Sequence, residues 1–99
     1  MRTYELDRLA KRELREAIRF YEDRASGLGR SVAAEFQVAV AFLLERPLAA
    51  ATLRGQLRAK PLRRFPYTLI YTLDGDVVRI WAFMHQSRRP GYWSDRIGS

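Results

Sequence analysis

Asp74-Gly75, set between two runs of alternating side chains, constrains the fold more than any other feature of this chain. Pro66 to Leu73 and Asp76 to His85 alternate as strands with one face on a core do. Asp-Gly between such runs is the strongest short-range signal for a β-hairpin. With Asp74-Gly75 as the two-residue loop, Leu73 faces Asp76, Tyr71 faces Val78, Leu69 faces Ile80 and Tyr67 faces Ala82. That face is almost wholly apolar. The opposite face carries Thr68, Ile70, Thr72, Val77, Arg79, Trp81, Phe83 and His85. A solvated face has little reason to expose Trp81 and Phe83, so the tail, a partner chain or a stacked base should cover them.

The first half has a different period. Ala10, Leu14, Ala17, Ile18 and Tyr21 recur at helical spacing, and Asp7 stands where a helix cap is expected. Val32, Phe36, Val40, Leu43 and Leu44 make a second helical stripe, which Pro47 stops. A short break at residues 25–28 turns the two helices into an antiparallel hairpin. Residues 48–57 read as a connector. Pro61 demotes the stretch from Leu57 to Arg64 to an edge strand or a broken one. The predicted architecture is α+β, a single domain over residues 1–99. A helical hairpin at about residues 8–46 packs on a small antiparallel sheet led by 66–73 and 76–84.

Charge is unevenly placed. Residues 1–50 hold nine Lys and Arg against eight Asp and Glu, whereas residues 51–99 hold nine against three. The net charge of +7 therefore belongs mostly to the strand half. Such a field attracts polyanions or acidic protein faces, and it also keeps a small protein soluble. Arg54, Arg58, Lys60, Arg63 and Arg64 form a basic patch without one acid among them. They read either as a phosphate-tracking surface or as an edge strand defended by charge. No run of about 18 apolar residues and no secretory leader is evident, so a cytoplasmic protein without a membrane span is expected. With no cysteine and one histidine there is no metal-ligand set, and no cofactor is expected.

His85, the one histidine, sits at a predicted strand end beside Arg88 and Arg89. Neighbouring cations favour the neutral imidazole that a general base needs, although a lone histidine is more often structural. Tyr92 and Trp93 follow in a tail that either folds back on the outer sheet face or meets a partner.

Phe65-Pro66-Tyr67 before the hairpin, His85 where the return strand ends, and Arg88-Arg89-Pro90-Gly91-Tyr92-Trp93 after it form a specific order. Glu13-Leu14, Ala17, Phe20-Tyr21-Glu22 and Gly27-Leu28-Gly29 fit the same scheme. Together they resemble the RelE/ParE superfamily of small toxins from type II toxin–antitoxin systems, over residues 4–96. The ParE-like branch, the plasmid stabilisation proteins, is the most similar. The resemblance implies a short first strand, a cognate antitoxin whose disordered tail folds on the toxin, and a toxin–antitoxin hetero-oligomer. It also implies a host target. For ParE-like members that target is DNA gyrase, which is bound rather than chemically altered. For RelE-like members it is messenger RNA on the ribosome, cut without metal.

Enzymatic activity stays open on this reading. Metal-free RNA cleavage needs a base, an acid and cations for the phosphorane charge. His85, Arg79, Tyr92, Lys60 and Arg63 are the candidates if the chain is a nuclease, with Arg58 and Arg88 as further cations. The strand half lacks the glutamate base that one nuclease branch uses. The expected partner-binding residues are Trp81, Phe83, Arg88, Arg89, Tyr92, Trp93 and Arg96, with the helix-hairpin groove. A degenerate, non-toxic relative is the third reading.

Overall fold

The structure, a computed structural model, describes residues 1–97. Strand β1 (Thr3–Leu6) leads into helices α1 (Arg8–Arg24) and α2 (Leu28–Glu45). Strands β2 (Ala51–Arg54), β3 (Leu57–Pro61), β4 (Tyr67–Asp74) and β5 (Val77–His85) follow, and a 3₁₀ turn spans Ser94–Ile97. The sheet order is β1-β5-β4-β3-β2. The expected α+β class holds, but the sheet is mixed rather than antiparallel throughout. β1 runs parallel to β5, and the other pairs are antiparallel. Parallel neighbours need a long crossover, which here contains the helical hairpin and three strands.

Both helices form where spacing and caps place them. The Asp7 carboxylate accepts the Leu9 N–H at 2.9 Å and caps α1. Glu22 accepts the N–H groups of Gly27 and Gly29 at 3.1 and 3.0 Å, covering donors that the start of α2 leaves free. Gly29 lets the helices approach closely: a Cβ there would lie 2.6 Å from the Ile18 carbonyl oxygen. Val32, Phe36, Val40 and Leu43 from α2 and Ala10 and Ala17 from α1 pack on Leu69, Tyr71, Val78, Ile80 and Phe83 of the sheet. Each large apolar side chain fully buried here contributes roughly 1.5–3 kcal/mol. Tyr71 is fully buried because its hydroxyl donates to the Pro47 carbonyl, where the chain leaves α2.

The hairpin differs from its expected register in two places. Asp74 pairs with Val77, so the loop is Gly75-Asp76 and not Asp74-Gly75. Gly75 takes φ +61°, and among the described residues no non-glycine residue has positive φ. A left-handed first central position followed by an ordinary second one is what a type II′ turn demands. Tyr71 then pairs with Ile80 but Ile70 with Ala82, leaving Trp81 as an extra residue in β5. This bulge reverses the alternation. Phe83 and His85, expected on the open face, lie on the helix side, and Ala82 moves to the outer side with Ile70.

The residues read as a connector contain β2, which is the true edge strand. β3 therefore lies inside the sheet, and Pro61 is tolerated because it is the last residue of that strand.

Candidate functional site

The outer face of the sheet is covered by the tail after β5. Turns carry the chain away, with Arg88 N–H donating to His85 O at 3.0 Å and Ser94 N–H to Gly91 O at 3.0 Å. Trp93 then packs on Leu57, Ile70 and Ala82, and is only 3% exposed. Trp81, Met84, Tyr92 and Ile97 surround that cluster, and Trp81 Nε1–H donates to Thr72 Oγ1 at 2.9 Å.

One carboxylate holds this arrangement. Glu13, on α1, receives both arms of the Arg96 guanidinium at 2.9 Å. It also receives the Tyr92 hydroxyl at 2.6 Å and the Phe83 N–H at 3.0 Å. Arg96 in turn donates to the Trp81 carbonyl at 3.1 Å. The reason lies in strand lengths. β1 pairs with β5 only as far as Ile80, while β5 continues to His85. Beyond Ile80 the edge of β5 exposes backbone groups, and the Glu13–Arg96 pair satisfies one donor and one acceptor there. Side chains complete the edge where the strand has stopped.

The electrostatics follow. Burial by itself would raise the Glu13 carboxyl, but the bonds from Arg96, Tyr92 and the Phe83 N–H together outweigh it and hold its pKa below the ordinary value. Burial and the bonded Glu13 carboxylate push the Tyr92 hydroxyl well above the usual phenol range. Tyr92 is therefore a poor acid, and its hydroxyl is held as a hydrogen-bond donor to Glu13. The Arg88 guanidinium lies 4.0 Å from the centre of the Tyr92 ring.

A cleft of about 240 Å³ opens beside this latch, lined by Glu13, Glu16, Phe20, Tyr67, His85 and Arg88 among others. Tyr67 stacks on Phe83 at 4.6 Å between ring centres and meets His85 edge-on at 5.1 Å. His85 Nδ1 accepts the Ser87 N–H at 3.0 Å, so the neutral ring carries its proton on Nε2.

Of the other candidate residues, Arg88 lines the same cleft as His85, but Arg79, Lys60 and Arg63 lie elsewhere. Arg79 stands on the outer face, bound to Glu5 and, at 3.3 Å, to Asp74. Lys60 lies on the helix side with its ammonium 4.4 Å from the centre of the Phe42 ring. Arg63 lines a separate depression beside Glu35 and Val38. The basic cluster is likewise divided. Arg58 donates to the carbonyls of Leu48 and Ala50, at 3.1 and 2.9 Å. Arg64 pairs with Glu35 at 2.9 Å. Arg54, opposite Leu57, belongs to the outer face. Of the expected partner-binding residues, Phe83 and Trp93 are interior to the domain, Trp81 is half-buried, and Arg88 and Arg89 are exposed. Tyr92 and Arg96 serve the latch. Nothing in the sequence marks Glu13 as a site residue: there it is one of several charges on the outer side of a helix.

Among the described residues, no helix is long and apolar enough to cross a membrane, and no three His, Cys, Asp or Glu gather as a metal site would require. No curated protein matches the chain. A solved structure described as the chromosomal ParDE TA system from P. aeruginosa has the same fold. Its TM-score is 0.74 with 16% identity, covering 86% of this chain and 96% of that one. The family model for the ParE toxin of the type II toxin–antitoxin system parDE matches residues 4–90.

Proposed function

We infer that this chain, which belongs to the ParE toxin family of type II toxin–antitoxin systems, acts in the cytoplasm by binding and inhibiting a host protein, DNA gyrase, and is neutralised by a cognate antitoxin. The observation that carries the choice of binder over nuclease is the dispersal of the groups that RNA cleavage would need. His85, Arg79, Lys60 and Arg63 occupy separate places, and Tyr92 is committed to Glu13. A nuclease requires such groups around one phosphate. A binder can spread its contacts over a surface, and Arg, Tyr and Trp, the residue types enriched at binding hot spots, are concentrated in the tail.

The tail is the surface proposed to meet the target, with the exposed Arg88 and Arg89 making contact. Tyr92, Trp93 and Arg96 hold them in place from beneath. The test is expression without antitoxin, followed by supercoiling assays with purified gyrase and mapping of cellular messenger ends. His85→Ala should remain toxic, whereas Arg88→Ala combined with Arg89→Ala should lose most toxicity and most gyrase inhibition while melting like the parent. Codon-specific messenger cuts that vanish in His85→Ala would overturn this reading in favour of a ribosome-dependent ribonuclease. A chain that arrests nothing would be the non-toxic relative.

A further inference from the structure

The exposed side of α2 is not built like that of α1. Arg8, Lys11, Arg12, Glu16 and Arg19 are exposed along α1, as on an ordinary solvated helix face. Between Glu35 and Glu45, α2 carries no charged residue, yet Gln37, Val38 and Ala41 are exposed, Val38 by 66%. Two depressions of about 380 and 180 Å³ run together beside it, with Glu35, Val38 and Arg63 in both linings. One side of this trough is Ala34, Val38 and Phe42 of α2, and the other carries Lys60 of β3 and Arg63 of the turn before β4. Glu35, the one carboxylate of the lining, is engaged by Arg64, whose backbone N–H and Nε–H it accepts at 2.7 and 2.9 Å. Among the described residues, neither Lys60 nor Arg63 has a carboxylate partner. No residue of the tail lines the trough.

We propose that this trough seats an acidic amphipathic helix of the antitoxin, with its apolar side on Ala34, Val38 and Phe42 and its carboxylates on Lys60 and Arg63. The proposal rests on the toxin–antitoxin reading. Ala34, Val38 and Phe42 stand four residues apart and form one ridge of α2, about 12 Å long, which two to three turns of a second helix would cover. A helix satisfies its own backbone. An extended chain would find no ladder here, because β3 is already paired with β2 on one side and β4 on the other. The charges choose the occupant's sign: two cations without counter-ions border an apolar strip, so the complement is apolar on one side and acidic beside it. A bare phosphate chain would leave Val38 and Phe42 unmatched. A second copy of this chain would bring Lys60 and Arg63 against themselves, between two molecules each carrying +7. A segment that is disordered when free can fold to fit such a seat.

The probe is the complete antitoxin encoded beside this chain, titrated calorimetrically, with amide hydrogen exchange and far-ultraviolet dichroism read on the complex. The amides of residues 34–42 and 62–64 should exchange more slowly on binding, and the complex should show more helix than its two components. Val38→Glu and Arg63→Glu, both at exposed positions, should each weaken binding by about tenfold or more without changing the melting temperature. Both should still inhibit gyrase when no antitoxin is present. The exchange measurement needs no variant, so it decides the matter even where a variant misfolds. Wild-type affinity in both variants, with residues 34–42 no better protected, would overturn the seat and leave neutralisation standing. An antitoxin that does not bind the wild-type chain would overturn both. Loss of gyrase inhibition in the variants alone would assign the trough to the target and overturn the proposal. So would protection that appears without antitoxin and rises with protein concentration, which would mean self-association.

Discussion

The two faces of the sheet are held by different means. The inner face is closed mainly by apolar packing: Leu69, Tyr71, Val78, Ile80 and Phe83 are each at most 1% exposed beneath the helices. The outer face is closed by a tail with one apolar anchor, Trp93, and one ionic anchor, Arg96 on Glu13. Burial of apolar surface is non-directional and indifferent to pH. A bidentate guanidinium–carboxylate pair is directional, and it depends on one proton. Most of the buried apolar packing thus lies on one face and the ionic anchor on the other, and the exposed basic residues of the tail ride on the second.

The largest effect should come from the inner face. Phe83→Ala should cost roughly 3–5 kcal/mol in denaturant unfolding, because it removes a buried ring and leaves a cavity between Phe36 and Tyr67. A loss below about 1 kcal/mol would mean that the bulge does not turn Phe83 inward. Glu13→Gln should cost less, about 2–3 kcal/mol, by leaving Arg96 without its counter-ion and weakening the bond to the Phe83 N–H. Its signature should be local: tryptophan emission shifts to the red and the Phe83 amide exchanges faster, while the far-ultraviolet spectrum stays native. Arg96→Lys should rescue little, since an ammonium cannot replace the two-armed contact. If Glu13→Gln unfolds both faces together, the contrast drawn between them is wrong.

The smallest effect is that of pH. The folded pKa of Glu13 is depressed below its ordinary value of 4.5. Its contribution is therefore fully present above the unfolded pKa and is lost as pH falls through the folded one. Tryptophan emission should be flat near neutrality and step in the acid range. The step should be absent from Glu13→Gln. The raised Tyr92 works at the other end: its contribution is present below the ordinary phenol range and lost only as pH rises through the folded value. A step in emission near neutrality would instead place the control of the tail elsewhere.

Much of this was legible in the chain. The helices follow from the spacing of Ala10 to Tyr21 and Val32 to Leu44, because a helix with one buried face has no other way to distribute its apolar residues. The hairpin follows from Asp74-Gly75 between strands, although the turn begins one residue later, where glycine alone needs a left-handed backbone. The return strand was readable only as far as Ile80. From Ile80 to Met84 every side chain is apolar, so the period that assigns faces disappears, and neither the bulge at Trp81 nor the inward turn of Phe83 leaves a local trace. β2 carries no signal in the sequence for the opposite reason: its four residues are all exposed and show no period.

The order of elements, the α+β class, the ParE-like resemblance and the basic bias of the strand half are all readable along the chain, because they depend on neighbouring residues and on sums. Which face each residue after Ile80 meets, the scattering of the five basic residues over separate places, and the hold of Glu13 on a tail 83 positions further along emerge from the three-dimensional packing alone. Those outcomes depend on pairings between distant segments. Their partners are chosen by strand length, by register, and by which backbone groups are left unpaired when β1 ends before β5.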